Sequence, residues 1–181
     1  MKPILLFLAP GFEEIEAITI IDVLRRAQLN IISVSITGDH SVTGAHGITI
    51  MADELYPDID LSDSSMLILP GGMPGTKNLN VHEGLKNLLK NFNNENKPIA
   101  AICAAPLILG RLGILQGKEA TCYPGYEDNL NGARLSKKQV VQSGNIITAN
   151  GPGPAAKFAL QIVTLFSGEE VSTEVGKGMM L

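Results

Sequence analysis

The chain has 181 residues, of which 45% are hydrophobic and 18% are charged, a composition typical of a compact globular protein rather than a disordered one. Fourteen basic and 18 acidic residues give a formal net charge of -4, and the longest basic runs are pairs. Nucleic acid is therefore not expected as the main partner, because no surplus or stretch of positive charge matches a phosphate backbone. The length suits one core, so we expect a single domain over residues 1–181.

Neither the N-terminal segment nor the cysteines indicate export. The first apolar run is short and is followed directly by Glu13, Glu14 and Glu16, so a buried strand explains it better than a signal peptide. No run of about 18 apolar residues is present, so no membrane span is expected. Cys103 and Cys122 lack metal-ligand spacing, and the three histidines lie far from them in sequence, which predicts no metal site. A cytoplasmic protein with free thiols is the simplest interpretation.

Apolar runs of the β type alternate with helical patterns along the whole chain. In chain order the patterns predict a strand at residues 3–9, a helix at 14–27, a strand at 31–36, a hairpin or edge excursion within 38–53, a strand at 65–69, a helix at 81–92, a strand at 98–102, a helix at 104–112, two short strands within 140–148 and a helix at 154–166 that ends before Gly168. Such alternation indicates an α/β fold with a mostly parallel sheet covered by helices on both faces. Ligands bind beyond the carboxyl ends of the strands in these sheets, so the segments just after strands are the candidate sites.

Two strand ends carry polar groups suited to chemistry. After the first strand, PGFEEIEA places Glu13, Glu14 and Glu16 in the first turn of a helix. Glu16 differs from the other two because it lies inside the helical pattern between apolar neighbours, which favours a partly inward side chain. After the third buried strand, LILPGGMPG brings Gly71 and Gly72, whose backbone N–H groups can approach a ligand closely and hold an oxyanion. Charge complementation of the helix dipole and an ordinary Pro-Gly turn are the alternative interpretations.

Cys103 follows the next strand, within the sequence AICAA. This is the small-x-nucleophile-x-small pattern of a strand-to-helix nucleophile elbow, with Cys as nucleophile and alanines as the small residues. A helix starting at this point predicts a thiol pKa below the ordinary value of about 8.5. An inert core cysteine is the alternative. A carboxylate, a pair of donors and a thiol, each at a strand end, form the constellation that a cysteine-based site needs.

The motifs together resemble a known family. GFEEIEA, LILPGGMPG, AAICAAP, ATCYPG and NGPGPAAKFAL occur in the order and spacing of the ThiJ/PfpI superfamily, and the resemblance is to its branch that contains the parkinsonism-associated protein deglycase and bacterial ThiJ-like proteins. It covers residues 3–175. The resemblance implies a flavodoxin-like three-layer sandwich and a homodimer. It also implies that Cys103 is the reactive cysteine and Glu16 the carboxylic acid that hydrogen-bonds it. Gly72 and Ala104 match the backbone donors of the oxyanion pocket.

Two departures from the family pattern bear on the chemistry. Tyr123 stands where relatives in the deglycase branch commonly have a histidine, and Ala104 stands where the peptidase-like branch has one. No Cys–His pair is evident, which argues against a cysteine peptidase or amidase, because these need a base beside the thiol. His46 matches a position near the dimer interface of relatives, and a plain loop histidine is the alternative. Cys122 is interpreted as a core or semi-exposed thiol rather than a second nucleophile, and the NGPGPA segment as a tight turn beside the pocket.

The resemblance implies two classes of function that need the same thiol. The first is a cofactor-free glyoxalase or deglycase, in which a Cys103 thiolate attacks a small carbonyl substrate, a 2-oxoaldehyde or its adduct, and Glu16 moves the proton. The second is a non-catalytic oxidative-stress sensor or chaperone, in which Cys103 is oxidised to a sulfinate beside a protonated Glu16.

Overall fold

The computed structural model of the chain describes residues 2–58, 61 and 63–181. Within these ranges the strands are β1 (Ile4–Leu8), β2 (Ile31–Ser35), β3 (Ser41–Thr43), β4 (Thr49–Met51), β5 (Glu54–Leu55), β6 (Met66–Leu69), β7 (Ile99–Ile102), β8 (Glu119–Ala120), β9 (Arg134–Leu135), β10 (Val140–Ser143) and β11 (Ile146–Ala149). The α-helices are α1 (Glu14–Arg26), α2 (Gly75–Val81), α3 (Glu83–Asn94), α4 (Pro106–Arg111) and α5 (Ala155–Gly178).

The described strands form one large sheet with the order β10-β11-β7-β6-β1-β2-β5. Its pairings are parallel except for the antiparallel hairpin of β10 and β11 at one edge. Two small pairs, β3 with β4 and β8 with β9, lie outside it. The predicted α/β class with a mostly parallel sheet is confirmed, and so are the hairpins within 38–53 and 140–148.

Strand β1 shows why helices cover both faces. All five of its side chains are fully buried, and they alternate between two cores. Ile4 and Leu6 pack into the core beneath α1 and α5, whereas Leu5 and Phe7 pack into the core beneath α3 and α4. Burying such a side chain stabilises the fold by about 1.5–3 kcal/mol, so a strand apolar at every position stabilises both layers at once.

Helix α5 continues beyond its predicted end. The chain leaves helical geometry at Gly168, where φ is 87° and ψ is 169°, and then resumes a helix as far as Gly178. The second half packs back on the first, since the hydroxyl of Ser172 donates to the carbonyl of Leu160 at 2.9 Å. The sequence correctly predicted that the helix breaks at Gly168, but it did not predict the helical segment that follows the break. No helix in the described ranges, α5 included, offers the apolar stretch that crossing a bilayer requires.

Two further differences concern the helices beside the sheet's carboxyl edge. Helix α2 was not predicted, because its sequence GTKNLNV lacks the apolar periodicity of a surface helix. Helix α4 is shorter than predicted, spanning Pro106–Arg111 instead of 104–112, because the residues directly after β7 form a turn.

The break in α5 can be tested by giving Gly168 a side chain. Its backbone conformation is one that essentially only glycine adopts, so Gly168→Ala is expected to destabilise the protein by about 1–3 kcal/mol. A Cβ there would meet no neighbouring atom within 4 Å, so the loss of stability measures backbone strain alone, without a steric clash. Gly178→Ala is the matched control in the same helix, also in open space, with an expected change within about 0.5 kcal/mol. Urea unfolding followed by circular dichroism measures both, and equal midpoints would contradict this account.

Candidate active site

The three strand ends singled out from the sequence meet at one edge of the sheet. Strands β7, β6 and β1 are neighbours, and their parallel pairing places their carboxyl ends side by side. Cys103 follows β7, Gly72 follows β6, and Glu16 lies in the first turn of α1, which follows β1. The structure therefore brings together all four predicted site residues, Ala104 included.

Cys103 sits in a backbone conformation unusual for a residue with a side chain, with φ at 65°. Both of its backbone groups are held by neighbours. Its N–H donates to the carbonyl of Ala149 at 2.8 Å, and its carbonyl accepts from the N–H of Tyr123 at 2.8 Å. This is the strained strand-to-helix turn of a nucleophile elbow. It presents a side chain that is buried, with 9% of the residue exposed.

Two backbone N–H groups donate to the thiol of Cys103, those of Gly72 and Ala104. Gly72 achieves this with φ at 89°, and a Cβ on it would lie 2.6 Å from the carbonyl oxygen of Gly11. Only glycine fits there, because the backbone of the segment after β1 passes against it. The two donors converge on one sulfur in the arrangement that an oxyanion hole requires.

Glu16 is fully buried, although it is a carboxylic acid. Its Oε2 accepts from the N–H of Gly71 at 2.7 Å. Its Oε1 has no partner with full hydrogen-bond geometry in the described part of the chain, and the thiol of Cys103 is the polar group that interacts with the carboxyl. A Cβ on Gly71 would lie 2.6 Å from the Cβ of Cys103 and 2.9 Å from Oε2 of Glu16. The acid and the thiol meet because residue 71 has no side chain.

The charges of Glu16 and Cys103 are coupled. Burial raises the pKa of Glu16 to about 7, against the opposing effect of the Gly71 N–H. Burial, together with the charge and hydrogen bond of Glu16, raises the pKa of Cys103 to about 12, and the donors Ala104 and Gly72 offset only part of this. The expectation of a lowered thiol pKa is therefore wrong for a thiol facing an ionised Glu16. Near neutral pH the pair holds at most one negative charge, and a thiolate forms only while Glu16 holds the proton.

Glu14 does not belong to this site. Its buried carboxylate accepts from the N–H of His46 at 2.7 Å and of Ile48 at 3.3 Å, and it lies 2.9 Å from the imidazole Nδ1 of His46. Burial raises the pKa of Glu14, but these hydrogen bonds outweigh it and the net shift is downward. Carboxylate and imidazole atoms of Glu13, Glu14 and His46 lie within 4.8 Å of one another, a spacing able to hold a cation. The hydrogen bonds between Glu14 and His46, and the 3.7 Å contact of the His46 Nδ1 with the Glu13 carboxylate, already account for this proximity. They anchor the β3–β4 loop to α1.

Cys103 opens onto a small cavity of about 220 Å³. The walls come from the segments after the strands and from the loop that follows β8: Glu13, Gly72, Met73, Cys103, Ala104, Tyr123, Tyr126 and Pro152. Tyr123, 45% exposed, occupies the mouth and stands edge-on to Tyr126, with ring centroids 6.5 Å apart. Met73 and Tyr126 were not singled out from the sequence, although both lie within three residues of positions that were. Pro152 confirms that the NGPGPA turn borders the pocket.

Cys122 is buried in the core, which is the first of the two placements that the sequence left open. Burial, and then the charge of Glu127, raises the pKa of Cys122 to about 11.

Comparison with known proteins accords with this geometry. The model of the DJ-1/PfpI family matches residues 2–165, which is most of the chain. The chain belongs to the DJ-1/PfpI family. It is 36% identical over 182 residues to protein dj-1beta of Drosophila melanogaster, covering 99% of this chain and 97% of that protein. The solved structure of oxidised Toxoplasma gondii DJ-1 superposes with a TM-score of 0.95 at 31% identity, covering 99% and 98% of the two chains. The flavodoxin-like fold expected of a family member is thereby confirmed.

Family members differ in length. The chain is 36% identical over 179 residues to DJ-1 homolog B of Arabidopsis thaliana, covering 98% of this chain but only 41% of that protein. The chain thus spans about two fifths of that relative and nearly all of the Drosophila one.

The buried Glu16 predicts a specific dependence of stability on pH. Its pKa in the fold, about 7, lies above the ordinary value of 4.5. The fold therefore favours the protonated acid, and stability is lost as the pH rises from 4.5 through 7. Glu16→Gln is expected to remove this loss and to raise the free energy of unfolding at pH 8 by on the order of 3 kcal/mol.

Glu14→Gln is the matched control, because the fold lowers the pKa of Glu14 and raises that of Glu16. Ionised Glu14 therefore stabilises the protein, whereas ionised Glu16 destabilises it. This variant is expected to lower stability at pH 8. Urea unfolding at pH 5 and pH 8 measures both variants. A Glu16→Gln protein that is less stable than the parent at pH 8 would overturn the buried-acid account.

Proposed function

We propose that the protein is a cofactor-free glyoxalase or deglycase that acts on small 2-oxoaldehydes or their adducts. The observation that carries this proposal is the contact between a buried acid, Glu16, and the nucleophile-elbow thiol of Cys103 at a pocket of about 220 Å³. The donors Gly72 and Ala104 converge on the same sulfur. The pocket is smaller than the usual 300–1,000 Å³ of sites for drug-sized ligands, which favours a substrate of a few carbon atoms.

In the proposed mechanism Glu16 acts first as a base. Its pKa of about 7 suits proton transfer at neutral pH. As Sγ of Cys103 attacks the aldehyde carbon, the carboxylate takes the thiol proton, the C–S bond forms and the carbonyl electron pair moves to oxygen. The Gly72 and Ala104 N–H groups hold that oxyanion until Glu16 returns the proton to it. The product of this step is a hemithioacetal.

The same carboxylate then moves a proton between carbons. Glu16 removes the proton from the former aldehyde carbon, and the electron pair moves to the neighbouring carbonyl oxygen to give an enediolate. The hydroxyl proton on the former aldehyde carbon passes to that oxygen, and Glu16 delivers its own proton to the neighbouring carbon. The hemithioacetal thereby becomes a thioester of a 2-hydroxy acid. Water cleaves the C–S bond, releases the acid and restores the thiol. Overall, one oxoaldehyde and one water give one 2-hydroxy acid, with no external oxidant, reductant or cofactor.

Turnover of methylglyoxal to lactate by the purified protein, without glutathione, tests the proposal. Glu16→Gln keeps the size of the side chain but loses its titrating proton, so turnover is expected to fall by about 10²–10⁴-fold. Tyr123→Phe removes only a hydroxyl at the pocket mouth. Losing one hydrogen bond of about 0.5–1.5 kcal/mol corresponds to roughly a 2- to 13-fold effect. Cys103→Ser is expected to abolish activity, and Cys122→Ser is the thiol control that keeps it.

A Tyr123→Phe protein as impaired as Glu16→Gln would show that tyrosine takes part in the chemistry and that the proton-transfer role is misassigned. A parent protein without lactate formation would overturn the catalytic proposal.

A redox sensor or chaperone role is the second candidate, and the surroundings of the sulfur favour it. The Gly72 and Ala104 N–H groups and the unpaired Oε1 of Glu16 provide places for the oxygens of an oxidised Cys103. With its proton, Glu16 can donate a hydrogen bond to a sulfinate. Absence of turnover together with a stable sulfinate on Cys103 would decide for this candidate.

We also propose that the protein acts as a homodimer through an apolar patch on α1 and the β3–β4 hairpin. Ile15 and Ile18, three residues apart on α1, are 58% and 42% exposed. Ile48 and Met51 on the hairpin are 53% and 68% exposed. The bond from the Ile48 N–H to Glu14 places the two groups next to each other. Exposed apolar side chains on neighbouring elements favour a protein partner, and a second copy is the simplest one.

Light scattering during size-exclusion chromatography tests the dimer. We expect the parent protein at twice its chain mass of 19.2 kDa and Ile15→Glu/Met51→Glu at the mass of one chain. Leu135→Glu, at a residue that is 59% exposed but outside the patch, is the control and is expected to remain dimeric. A parent protein at 19.2 kDa would contradict the proposal.

A further inference from the structure

A second, larger cavity adjoins the pocket of Cys103. Its volume is about 660 Å³, and it shares Met73 and Tyr126 with the smaller pocket as common walls. It runs between α2 and α4, and is lined further by Lys77, Asn80, Val81, Leu107, Arg111 and Asn129. We call it the α2–α4 groove. Because Met73 and Tyr126 line both cavities, the groove lies directly beside the pocket of Cys103.

The charged side chains lining the α2–α4 groove are both cations, although the chain as a whole carries a net charge of -4. Arg111 is held in place by two N–H groups that donate to Oδ1 of Asn129, from Nε at 3.2 Å and from Nη2 at 2.8 Å. In the part of the chain that the structure describes, neither Lys77 nor Arg111 is in an ion pair. Two unpaired cations on facing helices form a site for an anionic group.

The remaining lining residues suit the tail that would carry such a group. Val81 and Leu107 add apolar side chains to the lining, and Asn80 adds an amide. Arg111 lies eight residues beyond Cys103 along a segment that includes α4. From Pro106 to Arg111 the helix rises by about 7.5 Å along its axis, at about 1.5 Å per residue, which sets the length scale of such a tail.

We propose that the α2–α4 groove binds a carboxylate or phosphate at the far end of a substrate whose carbonyl reacts at Cys103. This inference rests on the proposed function, since it extends the substrate from a bare oxoaldehyde to one with an anionic tail. Lys77 and Arg111 bind the anion, and Val81 and Leu107 contact the tail.

Alkylation of Cys103 tests the groove without requiring turnover. The carboxylate probe is 6-(bromoacetamido)hexanoate, compared with its uncharged primary amide, and the phosphate probe is N-bromoacetylethanolamine phosphate, compared with N-bromoacetylethanolamine. In each case the C–S bond forms, bromide leaves and the thiol proton passes to Glu16 or water. The rate for each probe is read by peptide mass spectrometry, as the ratio of the anionic to the neutral reagent.

The parent protein is expected to react about 3- to 10-fold faster with at least one anionic probe, the range expected for two partly exposed charge pairs. Lys77→Gln/Arg111→Gln is expected to bring the ratio close to one. Lys90→Gln/Lys137→Gln removes the same charge from exposed positions outside the groove and should keep the parent ratio. Lys77→Gln alone changes an exposed side chain, so a partial loss of preference in it supports the groove even if the Arg111 variant folds poorly.

The outcomes separate this inference from the proposed function. No anionic preference in the parent, or a preference lost equally in the control variant, overturns the groove. A preference lost only in the Lys77 and Arg111 variants supports it, and the probe that shows it tells carboxylate from phosphate. Methylglyoxal turnover is measured on the same samples, so failure of catalysis is seen independently of failure of the groove.

Discussion

A proton shared between a buried acid and a buried thiol is the constraint around which the rest of this site is arranged. Glu16 is fully buried, and burial raises its pKa to about 7, while the same environment raises the pKa of Cys103 to about 12. Neither group is easily charged while the other is. The neighbouring segments stabilise the pair with backbone N–H donors: Gly71 donates to the acid, and Gly72 and Ala104 donate to the thiol. Such donors are rigid and uncharged, so they support whichever partner holds the negative charge.

The parts of this arrangement that come from chain order could be predicted from sequence. Fully apolar strands and the motifs that follow them place Glu16, Gly72 and Cys103 at one sheet edge, because parallel strands bring their carboxyl ends together. The protonation behaviour could not be predicted in the same way. The sequence suggests a helix starting at Cys103 and a lowered thiol pKa. In the structure α4 begins only at Pro106, and the thiol faces an acid. The direction of the shift in the Cys103 pKa depends on contact with Glu16, which is far away in the chain, so no local sequence pattern could predict it.

The elements missed from sequence share a physical cause. Helix α2 has a single large buried apolar side chain, Leu79, so it shows no periodicity, and it is stabilised by its setting beneath the sheet edge. The second half of α5 is half-exposed and returns through the hydrogen bond from Ser172 to Leu160. Lys77 and Arg111 lie on helices that only the fold brings together, so neither stands out as a binding residue in the printed sequence.

The absent side chain of Gly71 limits how this site can change. Any Cβ there would meet the Cβ of Cys103 and the carboxyl of Glu16, so position 71 admits no variant that keeps the two groups in contact. Substitution of Gly72 is excluded in the same way, because a Cβ there would clash with the backbone that passes beside it. Differences in selectivity between proteins built on this plan are therefore expected away from these two glycines, for example at side chains of the rim such as Tyr123 and Tyr126. Those residues stand on a loop rather than on the sheet, and a loop tolerates exchange where the strand ends do not.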